Sequence, residues 1–514
     1  MSEGKPSETK EAKEHIEIYK EYEREQIWKH EKTKYYRLGI GIHQLEGQRI
    51  AYLGTVNYLS PDIRTNAVIT SQHEHYIDYS INSGTDEIKE QFKLNYRTSF
   101  ENEGLDYEWN SKNILNYLNK KYEKKTIKEL FEEIKEVLNY YIYFDDSQEA
   151  NFHACNIISE YFLPIWSYRI RLQFRGGSGG GKSKRMFSYT HLGFNSITAS
   201  SFSEADLFRS VEGTCGSLRI DNFDFIDDDK KNWYRQFYET GFSPLGTYRR
   251  RDVSSKKFSV GKFQTFGSLM LTSIEGLDGE ATENRTLIFD CLEPPSENNK
   301  EIIERKNRNL ENPNTKELKR FEEIRNQLNY CFLDDWETVE NLYHRIEIPE
   351  VDSRTLDIIK PVLIIAYLIS PEVFESVKAY TIEKLRVQKL KELSTDDNFR
   401  FWELIETKAN ETSPLEFTLG EILKEYIKLY YGELDSDSIN KTRYRLTMRF
   451  TSELRKNNKV KKLPIRTAGI LHYSITREGL DYFFKSRGWK DLINAEKEVL
   501  EPKKEPEIEV NKVL

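Results

Sequence analysis

The amino-acid sequence predicts an α/β protein built around a parallel sheet. Helix-like and strand-like segments alternate from residue 150 to 295, which is typical of a parallel sheet with helices on its faces. The strand-like segment SYRIRLQF leads directly into a glycine-rich stretch, and a helix-compatible segment follows that stretch. Two further buried strands, in GSLRIDNF and GSLMLTS, end in polar residues.

The composition predicts a folded, multidomain chain. Its 514 residues suggest roughly three domains. The 38% hydrophobic content is sufficient for packed cores beside 32% charged residues. No apolar run approaches the roughly 20 residues of a spanning helix, and the N-terminus lacks a signal-peptide core, so we expect a soluble protein of the cytoplasm. The four cysteines lie far apart, which favours buried thiols over a zinc site or disulfides.

Composition and pattern divide the chain into six regions. They are a charged helix or flexible arm at 1–35, an accessory α+β region at 36–140, the α/β core at 141–295, a helical region at 296–395, a third unit at 415–490 and a disordered tail at 496–514.

The stretch from Gly176 to Ser183 fits the pattern G-x-x-x-x-G-K-[ST] at every defined position. Glycines let successive backbone N–H groups surround phosphates, and the following helix presents its N-terminus to the negative charge. A flexible tether has similar letters, but the flanking strand and helix favour a nucleoside triphosphate site, with ATP as the expected ligand and Mg²⁺ held by Ser183. The predicted nucleotide contacts are Gly176, Gly177, Ser178, Gly179, Gly180, Gly181, Lys182, Ser183, Lys184 and Thr272.

A strand that ends in an acid follows the loop by some forty residues. The run SLRI precedes Asp221, which is the expected carboxylate ligand of the magnesium ion. Position 222 is Asn, whereas a hydrolytic glutamate usually follows this aspartate. Asp224, or Glu204 from the preceding segment, would then orient the attacking water. Nucleotide binding is therefore predicted independently of hydrolysis.

Two polar features lie further along the core. Thr272 and Ser273 end the strand in GSLMLTS and are candidates for sensing the terminal phosphate. Arg285 stands just before the next strand. It is either an arginine presented to the ATP of a neighbouring subunit or a member of a surface salt bridge.

Four stretches in order carry a family resemblance: GGSGGGKS, SLRIDN, LMLTS followed by ENRTLIF, and SRTLDIIKPVLIIAYL. From about Tyr141 to Leu390 the chain resembles the AAA+ ATPases of plasmid and viral replication proteins, which are related to the superfamily 3 helicases and to the helicase part of archaeal primase-helicases. The first stretch is specific, and the others are looser.

The resemblance implies an AAA+ core with a helical lid at 296–395 and a ring, usually of six subunits. Lys182, Ser183 and Asp221 would bind Mg-ATP, and Arg285 would complete the neighbour's site. The chain departs from the family at two positions. Ile274 stands where the helicases often have Asn, and Asn222 stands where many relatives have an acid, so turnover by this chain would be slow.

A basic segment between the two inner strands is the candidate DNA contact of the core. Tyr248 is suited to stacking on a base, and its cationic neighbours are suited to phosphates. The alternative is an exposed basic hairpin that contacts only solvent. The cations are Arg249, Arg250, Arg251, Lys256 and Lys257.

The third unit resembles a winged helix that binds DNA. An amphipathic helix in FTLGEILKEYIKLYY precedes a second helix with Leu446, Phe450 and Leu454 on its buried side, and a two-strand wing and a closing helix follow. Lys441, Arg445 and Arg449 form a basic stripe on the second helix. The alternative is a winged helix that binds protein and keeps its charged face in solvent.

These features favour an ATP-dependent DNA helicase or translocase of a virus, plasmid or integrated element, acting in replication. The expected partners are single-stranded or forked DNA, copies of the same chain in a hexamer, and a separate primase or polymerase, with no membrane. The localisation would be the host cytoplasm or nucleoid. The alternative is a DNA-binding initiator or transcription regulator that binds ATP and hydrolyses it little.

Overall fold

The structure is a computed structural model, and it describes a defined part of the chain. The described residues are 37–45, 47–60, 63–77, 109, 111–200, 211, 216–226, 234, 236–251, 260–274, 285–293, 300–349, 351, 353–411, 414–431, 436–457, 459–463, 472–487 and 489. The arm expected at 1–35 and the tail expected at 496–514 lie outside them. The chain separates into two units, Met1–Ile382 and Glu383–Leu514. Within the described residues, no helix has the length and apolar character needed to cross a membrane.

The first unit begins with an antiparallel sheet of four strands in sequential order. The strands are β1 (Arg37–Leu45), β2 (Gln48–Ser60), β3 (Ile63–Thr70) and β4 (His75–Ile77). Helices α1 (Ser111–Leu118) and α2 (Ile127–Tyr141) follow. Thr126 caps α2, because its hydroxyl accepts from the Glu129 amide while the Glu129 carboxylate accepts from the Thr126 amide.

The centre of the first unit is a five-stranded parallel sheet, which confirms the predicted α/β class. Helix α3 (Ser147–Glu160) precedes it, and α4 (Lys182–Leu192) follows its first strand. The strands from here to residue 290 are β5 (Arg171–Arg175), β6 (Ser196–Ala199), β7 (Ser217–Ile220), β8 (Thr247–Arg251), β9 (Val260–Gln264), β10 (Leu269–Ser273) and β11 (Thr286–Asp290). The sheet order is β11–β5–β10–β7–β6, so β10 lies between β5 and β7. A separate antiparallel hairpin, β8–β9, lies between β7 and β10 in the chain.

Four helices follow the sheet. They are α5 (Lys300–Asn307), α6 (Thr315–Arg345), α7 (Ser353–Ile369) and α8 (Pro371–Thr395). Asn314 caps α6 and forms a reciprocal capping box with Glu317. Helix α7 contacts α3, and its run from Val362 to Ala366 is fully buried, which explains a nearly uninterrupted apolar sequence.

The second unit contains helices packed with a small antiparallel sheet, in which His472–Ile475 lies between Leu415–Thr418 and Lys461–Lys462. The sequence expectation placed Phe417 in a helix, but Leu415–Thr418 instead pairs with His472–Ile475. The helix begins at Leu419 because Thr418 caps it. The elements are α9 (Asp397–Glu411), β12 (Leu415–Thr418), α10 (Leu419–Tyr430), α11 (Ser436–Lys456), β13 (Lys461–Lys462), β14 (His472–Ile475) and α12 (Arg477–Ser486).

Candidate nucleotide-binding site

The glycine-rich loop joins the carboxyl end of β5 to the first turn of α4. Gly176, Gly179 and Gly181 have φ angles of +142°, +86° and +80°, which side chains rarely adopt. The Gly176 amide donates to the Ser273 carbonyl over 3.2 Å, so the loop starts on the end of the adjacent strand β10.

A backbone carbonyl just after β11 leaves no room for a side chain at two of these positions. A Cβ atom at Gly176 or Gly180 would collide with the carbonyl oxygen of Cys291. That carbonyl is fixed because the Cys291 amide donates to the Arg175 carbonyl over 2.6 Å. The loop therefore wraps closely around the residue that follows β11, a contact that the motif alone did not indicate.

The residues after the loop lie in the first turn of α4. The Lys182 ammonium donates to the Gly176 carbonyl and, over 3.0 Å, to the Gly177 carbonyl. Ser183 is half-buried beside it. The Lys184 ammonium instead donates to the Arg305 carbonyl in α5 over 2.6 Å, and burial lowers the pKa of Lys184. Lys182 and Ser183 are thus close to the loop, whereas Lys184 connects α4 to α5.

Asp221 follows β7 at the same edge of the sheet. The Thr272 hydroxyl donates to its carboxylate over 2.5 Å and accepts from the Asn222 amide over 2.8 Å. Thr272 is completely buried, Asp221 is half-buried and Asn222 is exposed with a φ of +54°. Because β10 lies between β5 and β7, Thr272 orients Asp221 from the strand that adjoins the loop. Ser273 is buried and accepts from the Gln173 side chain over 3.0 Å.

Asp224 is already bound to backbone. Its carboxylate accepts from the Ile274 amide over 2.5 Å, which ties the short turn at Phe223–Phe225 to the end of β10. This contact fixes Asp224 near the site through a structural hydrogen bond. Glu204, the other predicted candidate for orienting water, lies outside the described residues.

The donor set fits a magnesium ion. Proteins usually hold Mg²⁺ through one or two carboxylates together with substrate phosphates. Asp221 supplies an oriented carboxylate, and Ser183 supplies a hydroxyl in the first turn of α4. Among the described residues, no three His, Cys, Asp or Glu side chains form a metal cluster of their own.

A buried ion pair behind the loop was not predicted. The Arg185 guanidinium donates to the Glu149 carboxylate over 2.7 Å and to the Gly180 carbonyl over 3.3 Å. Burial alone raises the pKa of Glu149, but the hydrogen bond from His153 and the charge of Arg185 outweigh it and lower that pKa to about 2. The Tyr380 hydroxyl of α8 also donates to Glu149 over 3.4 Å. The pair therefore joins the loop to three helices.

A pocket adjoins the turn at 179–181. The space available in it is about 50 Å³, well below the range of small-molecule sites. Apolar side chains form much of its wall. The lining residues besides the turn are Tyr141, Ile142, Tyr143, Lys184, Arg185, Leu292, Ile302 and Arg305. Their spacing along the chain gave no signal in the sequence.

Arg285 lies at the amino ends of the parallel strands, whereas the loop lies at their carboxyl ends. It precedes Thr286, which pairs with Arg171 at the start of β5, whereas the loop follows Arg175 at its end. Five residues of strand separate these edges by about 13 Å. The guanidinium donates to the Glu239 carbonyl over 2.9 Å and stacks 4.0 Å from the centre of the Phe242 ring. Arg285 is therefore remote from the loop of its own chain.

The predicted DNA contacts fall in two places. Tyr248, Arg249, Arg250 and Arg251 lie on β8 and pair with β9, but their side chains are outside the described set, as are Lys256 and Lys257. In the second unit Lys441 lies on α11, and its side chain is also outside that set.

The other two arginines of the α11 stripe make contacts within their own unit. Arg449 donates to Asp396 over 2.8 Å and to Asp397 over 3.2 Å. Arg445 donates to the Tyr431 hydroxyl over 2.8 Å and keeps 61% of its side chain exposed. Arg445 also lies 3.9 Å from the Asp397 carboxylate, so both arginines contact their own unit and Arg445 is the more accessible of the two.

Comparisons with protein-family models and with curated proteins find no match for this chain.

Proposed function

We propose that this chain is an ATP-dependent DNA helicase or translocase of a virus, plasmid or integrated element, acting in replication. The observation that carries the proposal is the arrangement at one edge of the parallel sheet. The glycine-rich loop, the buried Thr272 and the Asp221 carboxylate lie at the carboxyl ends of three adjacent strands, so phosphate, magnesium and a polar residue would meet there.

Several features support ATP and magnesium as the ligands. Lys182 lies against loop carbonyls that phosphate oxygens would replace as its acceptors. Asp221 is suited to the cation, because the Thr272 hydroxyl orients its carboxylate. When bound, Mg²⁺ would neutralise charge on the phosphates, while the chain's own loop amides and Lys182 would hold the nucleotide for attack by water.

The fold supports the finer assignment of an AAA+ core with a winged helix. The strand order brings the polar end of β10 between the loop strand and the acid-bearing strand. Helices α5 to α8 would form the lid. In the second unit, α9, β12, α10, α11 and the β13–β14 pair follow one another as expected for a helix-turn-helix with a wing.

A hexameric ring is part of the same proposal. Arg285 is too far from its own loop to act within one subunit, so any role in hydrolysis requires a neighbouring copy. Its contacts with Glu239 and Phe242 would hold it near the other edge of the sheet. Measuring the mass of the protein in solution with ATP and Mg²⁺ tests this role, and a strictly monomeric result would remove it.

Asn222 favours a second candidate, an ATP-binding initiator or regulator with little hydrolysis. Its amide side chain donates to the Asp221 carboxylate over 3.1 Å, at the position where a hydrolytic acid is usual. An amide cannot accept a proton from the attacking water as a carboxylate can. Asp224 would have to take that role while its carboxylate accepts from the Ile274 amide.

ATP turnover separates the two candidates. We would measure it with and without single-stranded DNA for the wild type, Lys182→Ala and the control Lys316→Ala, which alters an exposed lysine of α6. DNA-stimulated turnover that only Lys182→Ala abolishes supports the motor. Tight ATP binding without turnover in the wild type supports the initiator, and absence of ATP binding contradicts both.

A further inference from the structure

The outward face of α11 combines large apolar side chains with positive charge. Leu446, Phe450 and Leu454 are buried, as the sequence predicted. On the opposite side, 72% of Tyr444 and 62% of Met448 are exposed, four residues apart. Two large apolar side chains therefore adjoin on the outward face of this charged helix.

The charge around this face selects an anionic partner. Between Thr442 and Leu463 the sequence has eight basic residues and a single acid, Glu453. Glu453 is buried and pairs with Arg487 over 3.2 Å, so it does not offset the charge at the surface. Arg443, Arg445, Lys459, Lys461 and Lys462 are exposed. A polyanion therefore complements this side of the second unit.

The spacing fits the major groove of duplex DNA. At 1.5 Å per residue, Tyr444 and Met448 lie about 6 Å apart along the helix, close to the rise of two base pairs. An α-helix fits in the major groove, where apolar atoms contact the thymine methyl group. Flanking cations would bind the backbone phosphates, which give affinity without reading sequence.

We infer that α11 enters the major groove of duplex DNA and that Tyr444 and Met448 read base edges at sites containing thymine. The inference deepens the DNA-binding part of the proposed function and rests on it. It also specifies duplex DNA as the ligand of this unit, because a single strand has no major groove. The predicted stripe at Arg445 and Arg449 then contacts phosphates or residues of its own unit.

The test uses the full chain without nucleotide. A random duplex pool is selected on the wild type, and the affinity for the selected duplex is compared with that for a scrambled duplex of the same composition. We expect a preference of about 30-fold or more, since one wrong base pair typically costs 1–3 kcal/mol. Tyr444→Ala with Met448→Ala should cut that preference about tenfold and change affinity for the scrambled duplex by less than about threefold.

Leu429→Ala is the matched control, because Leu429 is a 59%-exposed apolar residue on the neighbouring helix α10. It should leave both affinities unchanged. Equal binding of the two duplexes by the wild type, or a preference that survives in the double variant, would overturn the inference. Absence of duplex binding would overturn it in favour of a protein partner. A chain that selects a duplex but binds no ATP would contradict the motor and leave this inference standing.

Discussion

The glycine-rich loop and helix α11 both carry cations that the sequence marks as ligands for phosphate, but they differ in how far the sequence determines their surroundings. In the loop, left-handed glycines and the fixed Cys291 carbonyl define the backbone, and Lys182 follows at a set position. In α11, the helical period places Arg445 and Arg449 on the same side of the helix but does not determine what they contact. Asp396 and Asp397, some fifty residues earlier, determine that Arg449 binds its own unit.

The comparison shows why a loop motif is more informative than a charge stripe. The motif specifies a backbone shape, and that shape has few alternatives. A stripe of basic residues specifies only which side of the helix carries positive charge, and an acid on a neighbouring helix can form an ion pair with it.

The largest effect is expected from Gly180→Ala. The added methyl group would meet the Cys291 carbonyl, so either the loop or the end of β11 must move. We expect nucleotide affinity to fall at least about 100-fold, since a displaced loop no longer aims its amides at the phosphates. Titration with a fluorescent ATP analogue measures this change.

Gly177→Ala is the control for that experiment. Nothing lies within 4 Å of a Cβ atom at Gly177, and its φ is not in the left-handed region. Affinity should stay within about threefold of the wild type. Equal losses in both variants would mean that the loop tolerates no side chain at all and that Cys291 has no special part in its shape.

The next largest effect is expected from Glu149→Gln. The folded-state pKa of Glu149 is about 2, whereas an unfolded glutamate titrates at about 4.3. Because the folded pKa is lowered, the stabilisation is fully present above about pH 4.3 and is lost as the pH falls towards 2. We expect the variant to lose about 2 kcal/mol of unfolding free energy at pH 7 and to show a flatter dependence of stability on pH below 4.3.

Thermal unfolding between pH 7 and pH 2.5 checks this expectation. Glu132→Gln provides the control, because Glu132 is 55% exposed in a pair with Lys135 on α2. Its unfolding temperature should match the wild type within about 1 °C. If Glu149→Gln also matched the wild type at every pH, the buried pair with Arg185 would contribute nothing to the first unit.

Thr272→Val should have a smaller effect on turnover. Valine keeps the shape but removes the hydroxyl that orients Asp221 and accepts from the Asn222 amide. We expect ATP turnover to fall about tenfold, with a higher Mg²⁺ requirement and unchanged affinity for ATP without metal. Thr190→Val, at a buried hydroxyl of α4 away from Asp221, should leave turnover unchanged. An unchanged Mg²⁺ requirement in Thr272→Val would show that Asp221 needs no such orientation.

Local signals in the sequence predicted much of the core. The strand β5 before the loop, the strand β7 before Asp221 and the buried face of α11 all occur where pattern and motif indicated. Each depends on residues that are neighbours in the chain, which is why period and spacing identify them.

Contacts between distant residues were not predictable in the same way. Strand β12 has only four residues, and it forms because β14 pairs with it more than fifty positions later. Arg185 and Glu149 are 36 residues apart, and Cys291 follows the loop by more than a hundred. A single sequence carries no periodic signal for such pairs. The sheet order, which brings Thr272 beside Asp221, likewise depends on the whole fold.

The smallest effects should separate two arginines of α11. Arg449→Ala breaks contacts with Asp396 and Asp397, so we expect about 1 kcal/mol less unfolding free energy and little change in duplex binding. Arg443→Ala should leave stability unchanged and reduce the salt dependence of duplex binding by about one unit of slope, as for a lost phosphate contact. Thermal unfolding and anisotropy across a salt series measure both. The reverse outcome would mean that Arg449 leaves its acids to bind DNA, and the stripe would then be as informative as the loop motif.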